Sequence, residues 1–539
     1  MKHINKYAPC IIILFSGLGT HGLLLLNDGI FWDDWLWVIA LKEKNWSVIR
    51  DMGFERGAPL DTYFQWFFSG FHDIEFAHRF VAFLSILLAA LLVYAICRQV
   101  GVLTRDESIW IALISMAYPA FQTQILLSTT NYLFYYMLFL GGVFLALKSQ
   151  NRNFVLGYGL RFGALILFFL SFTLNSLLVF YFGFLLLLAL FVRQLKALSV
   201  REMFTRFLPR HLDYILLPFL FWILKQGLFP VYGSYDTYNQ FIFSPQLIRS
   251  SLVTFLDYGI FQQFYAPLQV FFTKRGVALL GLLSILWMIK DFRNSSFRHL
   301  TKSYGLLAYG FLLMSLAILP YIVVGRSPSL TGWGTRHSLL LALPVALIIV
   351  AVARILFHAP KGGFSVIGKI LLTTLLLTFS FATISHYVGW QARWVKDRSM
   401  MVNLGQLNGA EEYSVYWIDD QFPLGGEANY DVYEWSSIFK LVWGGETRIG
   451  FHEPPSTTQK ITDYKPIKGY NIDDFDPAGC QAILMIRQGA STHSEVGLVA
   501  RYFYYRFLQP QSMQDFLVDI TRVQVSAFAS PLAVNCKQN

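Results

Sequence analysis

Two adjacent carboxylates, Asp33 and Asp34, stand in the segment GIFWDDWLW, directly after an apolar stretch long enough to cross a bilayer. Ionised acids at a membrane boundary are expensive to keep, so they tend to mark function. Helix capping accounts for one of them, because DDWLWVIALKEK reads as a helix with free N–H groups at its start, and Trp32, Trp35 and Trp37 suit an interfacial belt. It does not account for both. Neighbouring like charges at a low-dielectric edge resist joint ionisation unless a cation, a proton-accepting role or a substrate hydroxyl stabilises them. The chemistry open to such a carboxylate is general-base catalysis, and Asp33, the first of the pair, is the preferred base, with Asp34 capping or orienting.

A second group of chemically apt residues lies 300 positions later, in GRSPSLTGWGTRHS followed at once by LLLALPVALIIV. Arg326, Arg336 and His337 gather in this link, and Arg336 opens an apolar helix. A guanidinium there can grip a phosphate with two parallel charge-assisted hydrogen bonds. The competing explanation is snorkelling of the arginine to lipid headgroups. Lys225, in FWILKQGLF, belongs to the same class and fits headgroup contact equally well.

The elements that must position these residues are membrane spans. Of 539 residues, 55% are hydrophobic and only 14% charged, the composition of a polytopic α-helical membrane protein. Windows of roughly 20 residues give about eleven spans: Pro9–Leu26, Phe80–Cys97, Ser108–Leu127, Tyr132–Leu147, Gly159–Thr173, Ser176–Val192, Tyr214–Phe229, Val270–Ile289, Tyr304–Val324, Ser338–Phe357 and Gly368–His386. The first is read as a retained helix, since no small-residue cleavage site follows it. Two spans are separated only by Leu174 and Asn175, as a tight hairpin or one broken helix. With a hairpin, the links carrying Arg98 and Arg105, Lys148 and Arg152, Arg193 to Arg210, Lys290 to Lys302, and Lys361 all share one face. That is the positive-inside pattern, so the hairpin is preferred and the other face, with Asp33, Asp34 and Arg336, is extracytoplasmic.

From Trp390 onward the composition changes. The tail holds 13 Lys+Arg against 17 Asp+Glu, a charge of −4, and the first 389 residues carry +14. The overall +10 is thus a topology signal, with no nucleic-acid partner implied. YSVYWID, QAILMIR and FLVDITRVQVSAF alternate as strands of a small α/β domain, so residues 1–389 and 390–539 read as a membrane domain and a soluble extracytoplasmic domain. Cys480 and Cys536 are candidates for a disulfide there. In the first outer loop, GFHDIEFAHRF reads as an interfacial helix whose histidine and acidic residues form its wet face.

The acid pair after the first span, the element Glu55-Arg56-Gly57-Ala58-Pro59-Leu60 and the Thr335-Arg336-His337-Ser338-Leu339 entry into a Leu/Pro-rich helix together resemble the integral-membrane GT-C glycosyltransferases. The resemblance covers the layout of the first 390 residues and extends to a soluble domain after the last helix. It implies transfer of a sugar from a polyprenyl-phosphate carrier to an extracytoplasmic glycan, lipid or protein acceptor, in a bacterial inner membrane. It further implies that Asp33 or Asp34 is the base, and that Arg336, with Arg326 and His337, holds the carrier phosphate; Arg56 and Lys225 complete the expected substrate-binding set. A divalent cation is the only cofactor in view. Where some relatives carry another acid in the second outer turn, this chain reads LLSTTNY and offers Asn131.

The same residues make chemical sense without the resemblance. A sugar phosphate brings its own leaving group, so a base for the acceptor hydroxyl and a cation for the departing phosphate suffice. Consecutive residues on a helix point about 100° apart, so Asp33 and Asp34 cannot easily flank one bond, which favours inversion over a double displacement. The rival class is a transporter or flippase of lipid-linked glycans, which would show internal repeats and interrupted helices near mid-membrane. No repeat is evident in the chain.

Overall fold

The structure, a computed structural model, describes residues 2–196, 199–236, 240–242, 244–273, 300–359, 363–364, 366–422, 424, 430–445, 448–452, 480–490 and 494–528. Eight of the described helices are long and apolar enough to cross a membrane. The chain is therefore a multi-pass helical membrane protein with a small mixed sheet in its tail.

After α1 (Lys2–Leu26), three short helices fill the first loop: α2 (Asp34–Lys42), α3 (Trp46–Glu55) and α4 (Pro59–Phe68). The central helix α5 (Ile74–Val100) then packs against α1, α6 (Arg105–Ala117) and α7 (Thr130–Ser149). Asp73 caps α5 by accepting from the Phe76 N–H, and Gly101 ends it with a φ of 74°. The GFHDIEFAHRF segment thus enters the bundle. Its wet-face reading holds for His72, which is exposed, but His78 and Arg79 are buried.

The expected span Ser108–Leu127 is not one helix. α6 stops at Ala117 because Pro119 pushes Tyr118 into extended backbone, with ψ at 119°. The chain continues to Thr130 through two short 3-10 turns buried in the protein. α8 (Phe154–Ser171) and α9 (Ser176–Lys196) do form a hairpin. The rings of Phe168 and Phe184 lie 4.7 Å apart, whereas sixteen residues of straight helix would separate them by roughly 24 Å.

α10 (Leu212–Leu228) has 17 residues, and α11 (Leu300–Ile322) and α12 (Ala342–Leu356) follow, the latter entered through a 3-10 segment at Trp333–Leu341. Most of the expected span Val270–Ile289 lies outside the described residues. At one end of the bundle Arg98, Lys148 and Arg152 collect, together with ion pairs joining α8 to α10 (Arg161–Asp213) and α6 to α12 (Arg354–Glu107). The opposite end gathers the first loop, the turn 118–129, the turn 172–175 and the 3-10 segment.

The expected domain boundary at residue 390 falls inside a continuous helix. α13 runs from Val366 to Leu404, roughly 58 Å, about twice the hydrocarbon thickness. Its last turns become a wall of the tail domain, where Ala392 and Val395 pack on Leu498, Val499 and Tyr502 of α15 (Glu495–Leu508). The sheet behind has the order β2-β1-β3-β4, with β1 (Val415–Asp420), β2 (Ile449–Phe451), β3 (Gln481–Gln488) and β4 (Thr521–Ala527). β1 is parallel to both neighbours and β4 is antiparallel to β3. These strands fall on the three alternating runs of the sequence, plus one three-residue edge; the start of the third run, Phe516 to Val518, is instead the end of a short helix. Cys480 is disulfide-bonded; Cys536 lies outside the described residues.

The tail is fastened by buried charge. Arg393 of α13 pairs with Glu434 of α14 (Val432–Trp443) at 2.8 Å, with both side chains essentially inaccessible. Lys396 pairs with Asp420, and the Tyr430 hydroxyl donates to Asp397. Removing one partner of a buried pair strands the other charge, at a cost of roughly 3–5 kcal/mol. Glu434→Ala should therefore expose the tail to limited proteolysis in detergent, whereas Lys440→Ala, which breaks the partly exposed Lys440–Glu43 pair, should leave the cleavage pattern unchanged.

Candidate active site

The two aspartates have different surroundings. Asp34 is fully buried, and its carboxylate accepts the backbone N–H groups of Leu127 at 3.0 Å and Ser128 at 2.8 Å. Burial lifts its pKa to about 6, while these hydrogen bonds and the nearby Arg79 pull it back. Asp34 thus clamps the first loop onto the irregular turn left by the break at Pro119, where orphaned N–H groups need an acceptor. Asp33 has no capping bond to its helix. Instead its Oδ1 accepts from the Tyr433 hydroxyl at 2.8 Å, across 400 residues of sequence.

Asp33 owes its direction to the residue before it. Trp32 has a φ of 47°, a left-handed conformation unusual for an aromatic residue. It is held there by its N–H, which donates to Glu434 Oε1 at 2.8 Å, and by edge contacts of its ring with Trp333 and Trp390. Burial raises the Asp33 pKa above the ordinary carboxylate range, opposed by the Tyr433 hydroxyl, Arg336 and Arg56.

Asp33 borders one cavity, and its charged neighbours Arg336 and Arg56 line a second. The outer one, about 1120 Å³, lies between the tail domain and the bundle and is lined by Asp33, Trp32, Trp333, Tyr433, Asp431 and His452, among others. The inner one, about 490 Å³, is lined by Arg56, Lys225, Arg336 and His337, with Asp61 as a carboxylate facing them. Trp333 lines the outer cavity while the Arg336 guanidinium lies 4.2 Å from its ring centroid and lines the inner one. The Trp333–Arg336 stack is therefore the partition, and Asp33 has both Arg336 and Arg56 as charged neighbours.

The sequence-derived basic residues converge here from three elements, the end of α3, α10 and the 3-10 segment. Lys225, at the end of α10, is buried and donates to Asn175 Oδ1 at 2.8 Å, so it does not reach for headgroups. The hairpin turn thus supplies its partner. Arg56 bonds the Met52 carbonyl and pairs with Asp61 at 3.5 Å. The neighbouring Gly57, with a φ of 61°, lies against the end of α10, where a Cβ would meet the Phe229 carbonyl at 2.6 Å. That close approach sets Arg56 and Lys225 in one wall. His337 stacks near Tyr321 and has Arg336 and Arg326 as its charged neighbours, although Arg326 itself does not line the cavity. Asn131 lines it with an Oδ1 that is buried without a protein partner.

Family models, curated proteins and solved structures were compared with the chain, and none matches. The site accordingly rests on its own geometry. Sequence reasoning missed Asp61, the residue directly after the Glu55–Leu60 element. Its 2.8 Å bond from Tyr135 and its pairing with Arg56 set the charge of the inner cavity. It also missed Tyr433 and Glu434, whose contacts no local pattern announces. Among the described residues, no three His, Cys, Asp or Glu side chains form a metal-binding group.

The division of labour between the aspartates has a measurable consequence. Asp34→Ala leaves two buried N–H groups without an acceptor and should lower stability by about 2 kcal/mol or more, read as an earlier thermal transition in detergent. Asp33→Asn should leave that transition nearly unmoved.

Proposed function

We propose that the protein is a membrane glycosyltransferase of the GT-C kind, which moves a sugar from a polyprenyl-phosphate carrier to an acceptor on the extracytoplasmic side of a bacterial inner membrane. The observation that carries this reading is that Asp33 borders a wide acidic, aromatic-lined cavity beneath the tail domain while its charged neighbours Arg336 and Arg56 line a basic cavity within the bundle. A lipid-borne phosphate suits the first, and a sugar acceptor that stacks on aromatic faces suits the second.

In this reading the donor phosphate lies among Arg336, Arg56 and Lys225, and its anomeric carbon faces Asp33 across the Trp333 partition. The acceptor hydroxyl gives its proton to Asp33 while its oxygen bonds to the anomeric carbon. The bond from that carbon to phosphate oxygen breaks, and its electron pair leaves with the phosphate, stabilised by the guanidinium. With Asp34 engaged by two backbone N–H groups, one carboxylate of the adjacent pair is left for the reaction, which supports one-step inversion. The disulfide at Cys480 supports an oxidising compartment for the tail.

Asp33→Asn should reduce transfer of radiolabelled sugar from a polyprenyl-phosphate donor by roughly 10²–10⁴-fold without loss of insertion. Wild-type turnover should fall as pH drops through the raised Asp33 pKa, at higher pH than an exposed aspartate would dictate, because the base works only when ionised. Near-normal turnover in the Asn variant would remove the assignment.

Arg336→Lys keeps the charge but loses the planar fork, so it should still impair transfer through donor binding or leaving-group stabilisation. A residue that serves only as an anchor would tolerate lysine. Unchanged kinetics across donor concentrations would move the phosphate toward Arg56 and Lys225. The topology is tested separately: a C-terminal reporter active only in the cytoplasm should stay dark, and a signal from it would overturn the orientation.

A further inference from the structure

The tail domain does more than cover the outer cavity. Two successive residues of α14 hold two successive residues of the first loop: Glu434 accepts from the Trp32 N–H, and Tyr433 donates to Asp33. Their turn is fixed by a capping box in which the Asp431 and Glu434 side chains satisfy each other's backbone N–H groups. The Arg393–Glu434 pair ties the same turn to α13. The Tyr433 hydroxyl therefore meets Asp33 from a rigid support, in the wall of the outer cavity.

We infer that Tyr433 is a positioning residue: its hydroxyl, bonded to Asp33 Oδ1, holds the carboxylate at the wall of the outer cavity and keeps it ionised, so that the tail domain completes the active site. This rests on Asp33 being the base of the proposed transfer. With Oδ1 engaged by Tyr433, Oδ2 is the oxygen left to take the acceptor's proton. The charged groups facing Asp33 are Arg336 from the 3-10 segment, Arg56 from the end of α3 and Asp431 from the tail turn itself. The two arginines favour the ionised form and Asp431 opposes it. Burial raises the pKa of Tyr433, with Asp33 adding to the effect, so the phenol stays protonated and remains a donor across the working range.

The test uses the full-length chain in lipid nanodiscs and two readouts. The first is the titration of the Asp33 carboxyl by pH-difference infrared spectroscopy, with its band assigned by its loss in Asp33→Asn. Tyr433→Phe should move that titration to higher pH, because a hydrogen bond to the charged form is lost. An isosteric fluorotyrosine at position 433, a stronger donor, should move it to lower pH. The second readout is sugar transfer. Below the titration midpoint the Phe variant should be roughly tenfold slower than wild type, and the two should converge at higher pH.

An unmoved Asp33 titration in both variants would overturn the inference. So would a rate loss equal at every pH, which marks a structural role. If the titration moves as expected but Asp33→Asn still transfers sugar, the proposed reaction fails while the Tyr433–Asp33 coupling stands.

Discussion

The arrangement of the site depends on one buried carboxylate, Glu434. Its Oε1 takes the Trp32 N–H and the Arg393 guanidinium, and its Oε2 takes the Asp431 N–H that opens its own helix. Burial pushes its pKa up to about 7, with Arg393 and the two backbone donors opposing that rise. A group so placed is held by what surrounds it, since desolvating a carboxylate is repaid only when its lone pairs are filled. It joins the first loop to two stretches more than 350 residues further along the chain, the top of α13 and the start of α14. The left-handed Trp32 follows from the same contact, and with it the direction of Asp33.

A second constraint is the separation of charge across the Trp333–Arg336 partition. Above it the lining carboxylates include Asp419 and Asp431; below it the three cations Arg56, Lys225 and Arg336 face the two carboxylates Asp61 and Asp236. Such fields sort ligands by charge before any specific contact forms. The hairpin at Asn175, the break at Pro119 and the left-handed Gly57 are the backbone features that let three different elements contribute to the basic side. At two of them the site residues supply partners, Lys225 to Asn175 and Asp34 to the N–H groups of Leu127 and Ser128.

Much of the scaffold was legible in the sequence because it is written in local patterns. Length and hydropathy mark most of the spans, charge asymmetry favours the hairpin, and period-two alternation marks β1, β3 and β4. The failures have local causes too. Pro119 lies in the middle of an apolar run and was outweighed by hydropathy, although the residue before a proline resists helix. The domain boundary was set by composition, while α13 keeps its helical repeat and exchanges lipid for the tail core at Ala392 and Val395. Within the site, Asp33, Arg56, Lys225, Arg336 and His337 were readable as charges where apolar residues should be. Tyr433 and Glu434 were not, because a tyrosine and a glutamate in a soluble helix are unremarkable until folding brings them to residues 32 and 33.

The equivalence of the two aspartates was the deepest ambiguity, and backbone chemistry resolves it. Asp34 binds main-chain N–H groups of residues 127 and 128, partners that carry no side-chain signature and exist only because the chain there is not helical. Asp33 binds a side chain from another domain and borders open space. Adjacent acids avoid mutual repulsion when one is spent on structure and the other is left beside open space. The pair is therefore better understood as a clamp preceded by the proposed base: Asp34 fixes the height of the loop against the bundle, and the strained Trp32 turns Asp33 away from it. An acid pair in this setting need not signal a double-displacement mechanism, because the second carboxylate is already occupied before any substrate arrives.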